Sequence, residues 1–556
     1  MPEIIKASEH NLNSVFSDDY LFEIPLYQRP YAWTTEQVDE LLDDLLNAMD
    51  RDAQSPYFLG SVVLIKKEGD SKSAVVDGQQ RLTTLSMLFC VLRELADGNA
   101  QFELDGFVRE AGNSLRGTQD RFRLGLRARD REFFHDNVQS RGAIPEFLKK
   151  DNATFSDSQK LIFTNVNRLN QELSKLSESR RGALVKFVIQ QCYLVVVTAT
   201  DRDSAYRIFS VMNDRGLDLS PTDILKAETI GEIPEPDQEV YGEKWENIEE
   251  RIGREGFRDL FAHIRMVTLK TKLRRTLQAD FQDNVLKNAV GKEFIDHTLE
   301  PYASVYETLM EASYESTQDA EKLNDYLRHL SRLDNFDWIP PAMAFFLRHA
   351  NDRESLIRFT KDLERLAYGL FVRRANVNDR INRYAEVLRD IERGSDLFDD
   401  DSPLQLKADE QDEIVKGLNG QIYLQTAVVR RTLLERLDSL LADTGATYTR
   451  TTITVEHVLP QNPKSDSEWM KWFPSQDQRD TWTHRLANLV LLSRRKNASA
   501  SNWDFGRKKT EYFQRGGVAP FALTAQVLNE SDWTPVVLDR RQKELVDSFR
   551  REWRLA

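Results

Sequence analysis

Two segments near the C-terminus decide how the chain is read: Thr452-Ile453-Thr454-Val455-Glu456-His457-Val458-Leu459-Pro460 and, further on, Asn488-Leu489-Val490-Leu491-Leu492. The first is rich in β-branched residues and is stopped by Pro460, which has no N–H to give a ladder. The second is a short apolar run leading into a polar turn that holds Asn497, and then into the basic stretch Gly506 to Phe513, GRKKTEYF. The order predicts strand, strand, helix. It sets an imidazole at the end of one strand and an amide in or before the helix that follows.

The chain around this hairpin has 556 residues, 40% of them hydrophobic and 30% charged. That length exceeds one core and predicts about three or four domains. No apolar run approaches the ~20 residues of a membrane span, and the N-terminus lacks the basic-then-apolar pattern of a signal peptide. Cys90 and Cys192 both lie in apolar runs and read as buried thiols of a reducing, cytoplasmic compartment. The net charge of −14 excludes a chain that coats nucleic acid along its whole length. From Arg430 onward, however, 21 Lys/Arg stand against 16 Asp/Glu, a local +5 that leaves −19 on the remainder. The hairpin end is the basic end, the sign a phosphate-contacting domain needs.

From the start, YLFEIPLYQRPYAW (Tyr20 to Trp33) reads as a short strand and an aromatic, proline-rich segment. Thr34 to Met49 follows as a helix, with Thr34 and Gln37 as a capping box and a solvated acidic face. Leu59–Ile65 and Ala74–Val76 predict a hairpin that runs into Asp77-Gly78-Gln79-Gln80-Arg81 and then a helix. Strand, glycine-containing polar loop and helix point backbone N–H groups at an anion. Arg81 adds a planar fork for phosphate oxygens, and Asp77 suits a metal or a ribose hydroxyl. A plain polar turn would look the same. In RFRLGLRARDR (Arg121 to Arg131), five arginines predict a strand with one basic face, for nucleic acid or for acidic neighbours. YLVVVT (Tyr193 to Thr198) is a buried strand. Asn213-Asp214-Arg215-Gly216 then closes one helix, and Ser220-Pro221-Thr222-Asp223 opens the next; Asn213 and Asp223 stay open as site residues. GEIPEPDQEVYG, from Gly231, reads as a domain boundary, and the stretch beyond it as a helical bundle whose His263, His297, His329 and His349 have no partner at ligand spacing.

IPLYQRPYAW followed by VVDGQQRLTTL resembles the N-terminal domain of the GmrSD-type restriction proteins, which are modification-dependent DNA endonucleases; the FSVMNDRGLDLSPTD stretch (Phe209 to Asp223) extends the likeness to about residue 230. The resemblance implies a ParB/sulfiredoxin-like domain. In it, Gln28, Arg29, Asp77, Gly78, Gln79, Gln80 and Arg81 line a nucleotide-phosphate site, and Asp77, Gln80 and Arg81 carry hydrolysis of GTP, UTP or ATP.

At the other end, cleaving a phosphodiester needs an activated water and charge relief on the phosphate, which a neutral imidazole and a divalent ion supply between them. His457, at the strand end, is placed as the base. Glu456 points to the opposite face of an ideal strand, so the two reach one ion only through a twist or bulge. EHVLP, ANL, KN and NWDFGRK in order resemble HNH (His-Me finger) nucleases and the C-terminal domain of the same GmrSD-type proteins. That implies His457, Asn488 and Asn497 as the catalytic set, with Asn488 a brace, and Glu456 and Asn497 as ligands of Mg²⁺ or another divalent ion. Arg494, Arg495, Lys496 and Lys508, with Arg507 and Lys509, are placed to hold DNA. His484 reads first as a bystander and second as a further base or ligand. Trp469, Trp472, Trp482 and Trp503 read as core anchors.

The fold expected is therefore α+β and mostly helical: a ParB/sulfiredoxin-like α/β domain over 1–230, a helical domain over 231–425 and a ββα-metal (HNH) nuclease domain over 426–556. The function expected is a nucleotide-regulated endonuclease or nickase of anti-phage restriction that senses modified DNA. Its partners would be phage DNA and a nucleotide, with a homo-oligomer allowed and no membrane. The alternative is a ParB-like, nucleotide-binding DNA regulator whose nuclease-like domain does not cut.

Overall fold

The run YLVVVT lies one strand in from the edge of a six-stranded mixed sheet in the computed structural model, which describes residues 5–25, 28–112, 120–200, 205, 221–287, 289–442, 453–493, 502–513 and 521–556. The strands are β1 (Ile5–Asn11), β2 (Leu21–Glu23), β3 (Tyr57–Lys66), β4 (Lys72–Asp77), β5 (Leu124–Gly125) and β6 (Cys192–Ala199), in the spatial order β1-β6-β3-β4-β2-β5. β6 pairs antiparallel with β1 and parallel with β3. β3 and β4 make the expected antiparallel hairpin. The first strand, IKASEHN, was not expected, because its polar alternation carries no apolar run.

Helices cover this sheet. α1 (Thr35–Arg51) opens with the Thr34/Gln37 capping box and buries Val38, Leu42, Leu45 and Met49. α2 (Gln79–Glu94) is buried along almost its whole length, and α3 (Asp157–Ser174) starts with a second capping box, Ser156/Gln159. Cys90 and Cys192 are buried free thiols, and burial pushes both up to about 12. Four of the five arginines of the basic stretch resolve into ion pairs: Arg121 with Glu110, Arg123 with Asp18, Arg127 with Asp130 and Glu246, and Arg129 with Glu250, while Arg131 donates to the Leu126 carbonyl at 3.2 Å. The paired ones are structural counter-ions.

The chain divides into two compact units, Met1–Arg251 with Ala289–Ile295, and Ile252–Asn288 with Asp296–Ala556. The second unit holds the C-terminal hairpin and most of the helical stretch, whose residues 231–251 and 289–295 belong to the first unit. Its helices include α4 (Arg353–Val372) and α5 (Ala427–Leu441). The hairpin strands are β7 (Thr454–His457) and β8 (Leu489–Leu492), and α6 (Pro535–Trp553) closes the chain. The chain is thus α+β and mostly helical. Among the described residues no helix is long and apolar enough to cross a membrane.

A buried charge network ties α4, α5 and α6. Arg436 donates to Glu364 at 2.8 Å and to Glu552 at 3.1 Å, and the Trp553 indole donates to Glu364 at 3.1 Å. His329 lies beside it. The Ser439 hydroxyl spends its proton on the Arg436 carbonyl at 2.7 Å, so His329 Nε2, 3.2 Å away, must donate to it. The Arg332 guanidinium, 3.3 Å from Nδ1, donates there. His329 is therefore a neutral Nε2–H imidazole. Burial, followed by Arg436, Arg332 and Arg328, holds it well below the ordinary histidine value, with exposed Asp325 3.9 Å away too weak to offset them. The unfolded chain takes up this proton below about pH 6.5 and the fold does not, so the contribution to stability is complete above that pH and is lost as pH falls. The expected slope is up to about 1.4 kcal/mol per pH unit. Urea denaturation should show it between about pH 6.5 and 5, and His329→Gln should flatten it.

Candidate functional site

In the first unit the DGQQR segment sits at the joint of β4 and α2. Gly78 caps α2 with φ 91°, and a Cβ there would lie 2.5 Å from Val62 Cγ1, so only glycine fits. Asp77 accepts the Gly78 N–H. Burial raises the carboxyl above its ordinary value against that bond and the charges of Arg81 and Arg29. Burial likewise lowers the Arg81 guanidinium, with Asp77 opposing. The pair is thus held with both charged forms weakened, poised to gain from an arriving counter-charge.

Arg81 has a prepared seat. It donates to the Ser61 carbonyl at 3.2 Å, and its guanidinium packs where Gly60 has no side chain; a Cβ at Gly60, φ 104°, would meet it at 3.0–3.1 Å. β3 shifts register against β6 between Phe58 and Ser61, so the glycine lies in a bulge. A glycine inside the β-run LGSVVLI was the signal for it, and its function was not read.

Gln80, expected to be catalytic, is otherwise engaged. Its amide oxygen accepts Ala32 N–H at 2.7 Å and Trp33 N–H at 3.3 Å, and its nitrogen donates to the Pro30 carbonyl at 3.1 Å. Both lone pairs are used, so Gln80 clamps the Pro30–Trp33 segment and has no acceptor left to orient a water. Gln28 is buried and donates to the Val76 carbonyl at 2.8 Å, and Gln79 is buried as well. Asn165 ties the same segment through Tyr31 at 3.1 Å and the Trp33 carbonyl at 2.8 Å. Asp223 is buried on the helix Pro221–Gly231, and Asn213 lies outside the described residues.

In the second unit β7 and β8 pair antiparallel, His457 opposite Leu489 and Glu456 opposite Val490, with a helical segment Phe505–Phe513 after them. The strand–strand–helix order holds. Asn488 is fully buried. Its Oδ1 accepts Leu459 N–H at 2.7 Å and the Trp533 indole at 3.0 Å, and its Nδ2 donates to the Leu459 and Thr483 carbonyls at 3.0 and 2.9 Å. It is the brace of the loop, with no lone pair left for reacting atoms. Arg541 and Gln542 of α6 hold the Ala487 carbonyl and N–H next to it at 3.1 and 3.0 Å.

Lys508, expected on the DNA backbone, is a correction. It is 1% exposed, and its Nζ donates to the carbonyls of His457 and Val458 at 3.0 and 2.8 Å. Burial brings it down to about 7 against the pull of Glu456. Lys508 ties the helical segment to the end of β7 and does not reach solvent. Lys509 donates to the Glu530 carbonyl at 2.5 Å, whereas Arg507 is half exposed, over Trp503. Arg494, Arg495, Lys496 and Asn497 lie outside the described residues. The tryptophans are core anchors: Trp469 is buried, and Trp472, Trp482 and Trp503 pack against its cluster.

The imidazole of His457 stands among groups that sequence reasoning mostly passed over. His484 Nδ1 is 3.3 Å from its Nε2, and the Gln461 amide nitrogen is 3.4 Å from Nδ1 and 3.5 Å from Nε2. The Tyr423 ring lies 3.9 Å from the His457 ring and 5.7 Å from that of His484. Tyr423 gave no signal, since it stands in a 3₁₀ turn (Ile422–Leu424) well before the hairpin. The ladder runs through Glu456 and His457 without a bulge, so the two side chains leave on alternate faces. Among the described residues no three His, Cys, Asp or Glu side chains converge to hold a metal. The described donors therefore do not by themselves fit a divalent ion beside His457.

Two family models match the chain: the GmrSD restriction endonuclease N-terminal domain over residues 12–230 and the GmrSD restriction endonuclease C-terminal domain over residues 409–548. No curated protein matches it.

Proposed function

Because the chain belongs to the GmrSD restriction endonuclease family, we propose that it is a nucleotide-regulated endonuclease or nickase that cuts foreign, modified DNA through His457. The observation that supports this reading is the placement of His457. The imidazole ends a strand whose turn is pinned by Asn488 on one side and Lys508 on the other, so it is presented rigidly to a substrate. In this reading a water on the His457 side loses its proton to the ring as its oxygen attacks phosphorus, the opposite P–O ester bond breaks, and the leaving sugar oxygen takes a proton from solvent. Arg494, Arg495 and Lys496 hold the DNA backbone. A divalent ion at this site would relieve charge on the phosphate, but without Glu456, which leaves β7 on the face opposite His457. This is a separate proposal, tested by whether EDTA stops cutting and Mg²⁺ restores it.

The first unit is proposed to bind and hydrolyse a nucleotide at Asp77 and Arg81, with Arg29 completing the charge, and so to license cutting. Arg81 on its Gly60–Ser61 seat, facing Asp77, supports the phosphate role.

His457→Ala should lower the rate of plasmid or phage DNA cleavage by about 10²- to 10⁴-fold while the folded chain and its nucleotide turnover persist. Matched modified and unmodified phage DNAs with each nucleotide in turn assign specificity. A His457→Ala chain that cuts at the original rate removes the nuclease assignment. Wild-type chain that binds DNA and cuts none of these substrates favours the regulator alternative.

A further inference from the structure

We propose that Arg430 is a phosphate contact of the cutting site: stacked on Tyr423 beside His457, it holds the DNA backbone at the step that is cut. The inference rests on the reading of His457 as the base of a DNA endonuclease and adds a group that seats the strand against it.

Tyr423 links the two residues. Its ring centre is 3.9 Å from that of His457, and the guanidinium carbon of Arg430 lies 4.4 Å from the same ring. Those two short steps are all that separate the cation from the imidazole. A phosphate gripped by Arg430 is therefore the one under attack or its neighbour on the strand. The pieces are also fastened together. Arg430 Nη1 donates to the Tyr423 carbonyl at 3.0 Å, and the Tyr423 N–H donates to the His484 carbonyl at 3.0 Å. The Gln421 amide reaches the Asp480 carbonyl at 3.4 Å. Cation, aromatic ring and imidazole are thus held in a fixed relation before DNA arrives.

Arg430 differs from the other arginines of α5 in having its charge to spare. Arg431 is paired with Glu435 at 2.5 Å, and Arg436 with Glu364 and Glu552. Among the described residues Arg430 meets no acid, and of its five N–H donors only the one on Nη1 is spent. Stacking on Tyr423 uses the flat face of the guanidinium and leaves its edge, where the remaining donors lie, for the paired oxygens of a phosphate. The segment that carries it is open: Leu424 is 61% and Val428 45% exposed. Lys508 is buried and brings no charge to DNA, whereas Arg430 brings one from an element that precedes the hairpin.

The test compares Arg430→Gln, Arg430→Lys and Arg431→Gln in the full-length chain. Binding of a fluorescein-labelled duplex of modified phage DNA is followed by anisotropy in EDTA, from about 0.05 to about 1 M salt. One phosphate contact contributes about 0.9 to the slope of log K against log salt. Arg430→Gln should lower the slope by that amount, so that binding is about tenfold weaker at about 0.1 M salt and nearly unchanged at about 1 M. In the cutting assay kcat/KM should fall by the same factor of about ten. Arg430→Lys keeps a charge and should keep the slope. Arg431→Gln removes a charge already paired with Glu435 and should keep it too. An unchanged slope in Arg430→Gln overturns the proposal. So does a loss of affinity that is equal at every salt concentration, which marks a brace of the turn. An equal fall in Arg431→Gln overturns it as well, since that is the effect of overall charge. The base is judged separately: His457→Ala should bind with the full slope and not cut. A cutting His457→Ala removes that reading, while the slope still decides on Arg430.

Discussion

Replacing Asn488 with alanine is expected to destabilise the second unit by about 4 kcal/mol or more, since each buried group stranded without a partner costs about 1–3 kcal/mol. The substitution strands four groups at once: Leu459 N–H, the Trp533 indole N–H, and the Leu459 and Thr483 carbonyls. Asn488 is 0% exposed, so water has no ready way in to replace them. A loss of that size is a large share of a typical domain stability of about 5–15 kcal/mol. Asn488→Asp keeps the two acceptor bonds but turns a carboxylate toward two carbonyl oxygens, and should be nearly as damaging above the carboxylate pKa. Denaturant titration followed by tryptophan fluorescence measures the loss, with Trp533 as a local reporter. If Asn488→Ala kept the denaturation midpoint while cutting ceased, the residue would act on the reacting atoms and the bracing role would fall.

The same residue shows what was legible in the sequence and why. The bracing role of Asn488 came with the family resemblance, whereas the two hairpins, the Thr34/Gln37 capping box and the anchor tryptophans follow patterns that a few adjacent residues settle. Lys508 was misread because a lysine between Arg507 and Lys509 looks like part of a basic surface. Its burial depends on where the helical segment meets the end of β7, which no local pattern carries. Tyr423 and Gln461 were passed over for the same reason: their meeting with His457 is a property of tertiary packing. Gln80 was assigned to chemistry although its partners, Pro30, Ala32 and Trp33, lay in the neighbouring motif. Two motifs that recur together can do so because one holds the other in place.

Gly78→Ala is expected to destabilise the first unit by about 2–5 kcal/mol, from two sources that can be separated. A non-glycine residue in the left-handed region costs about 1–2 kcal/mol, and overpacking a filled site costs about 1–3 kcal/mol. Gly78 incurs both, with φ 91° and a would-be Cβ 2.5 Å from Val62 Cγ1. Adding Val62→Ala should recover the overlap and leave the strain, so the double variant should be more stable than the sum of the single losses by about 1–3 kcal/mol. Simple additivity in urea titrations would place the strain elsewhere. Gly60→Ala makes the contrast. Its would-be Cβ meets the end of a flexible arginine and no rigid wall, at 3.0 Å, although φ 104° still strains the backbone. Arg81 can swing off its seat where Val62 cannot leave the sheet. Gly78→Ala should therefore act mainly on folding. Gly60→Ala, by drawing the guanidinium away from Asp77, should weaken the proposed nucleotide binding more than it lowers the denaturation midpoint. Equal losses in the two measurements would mean that the bulge serves the sheet and that the Arg81 seat has no part in recognition.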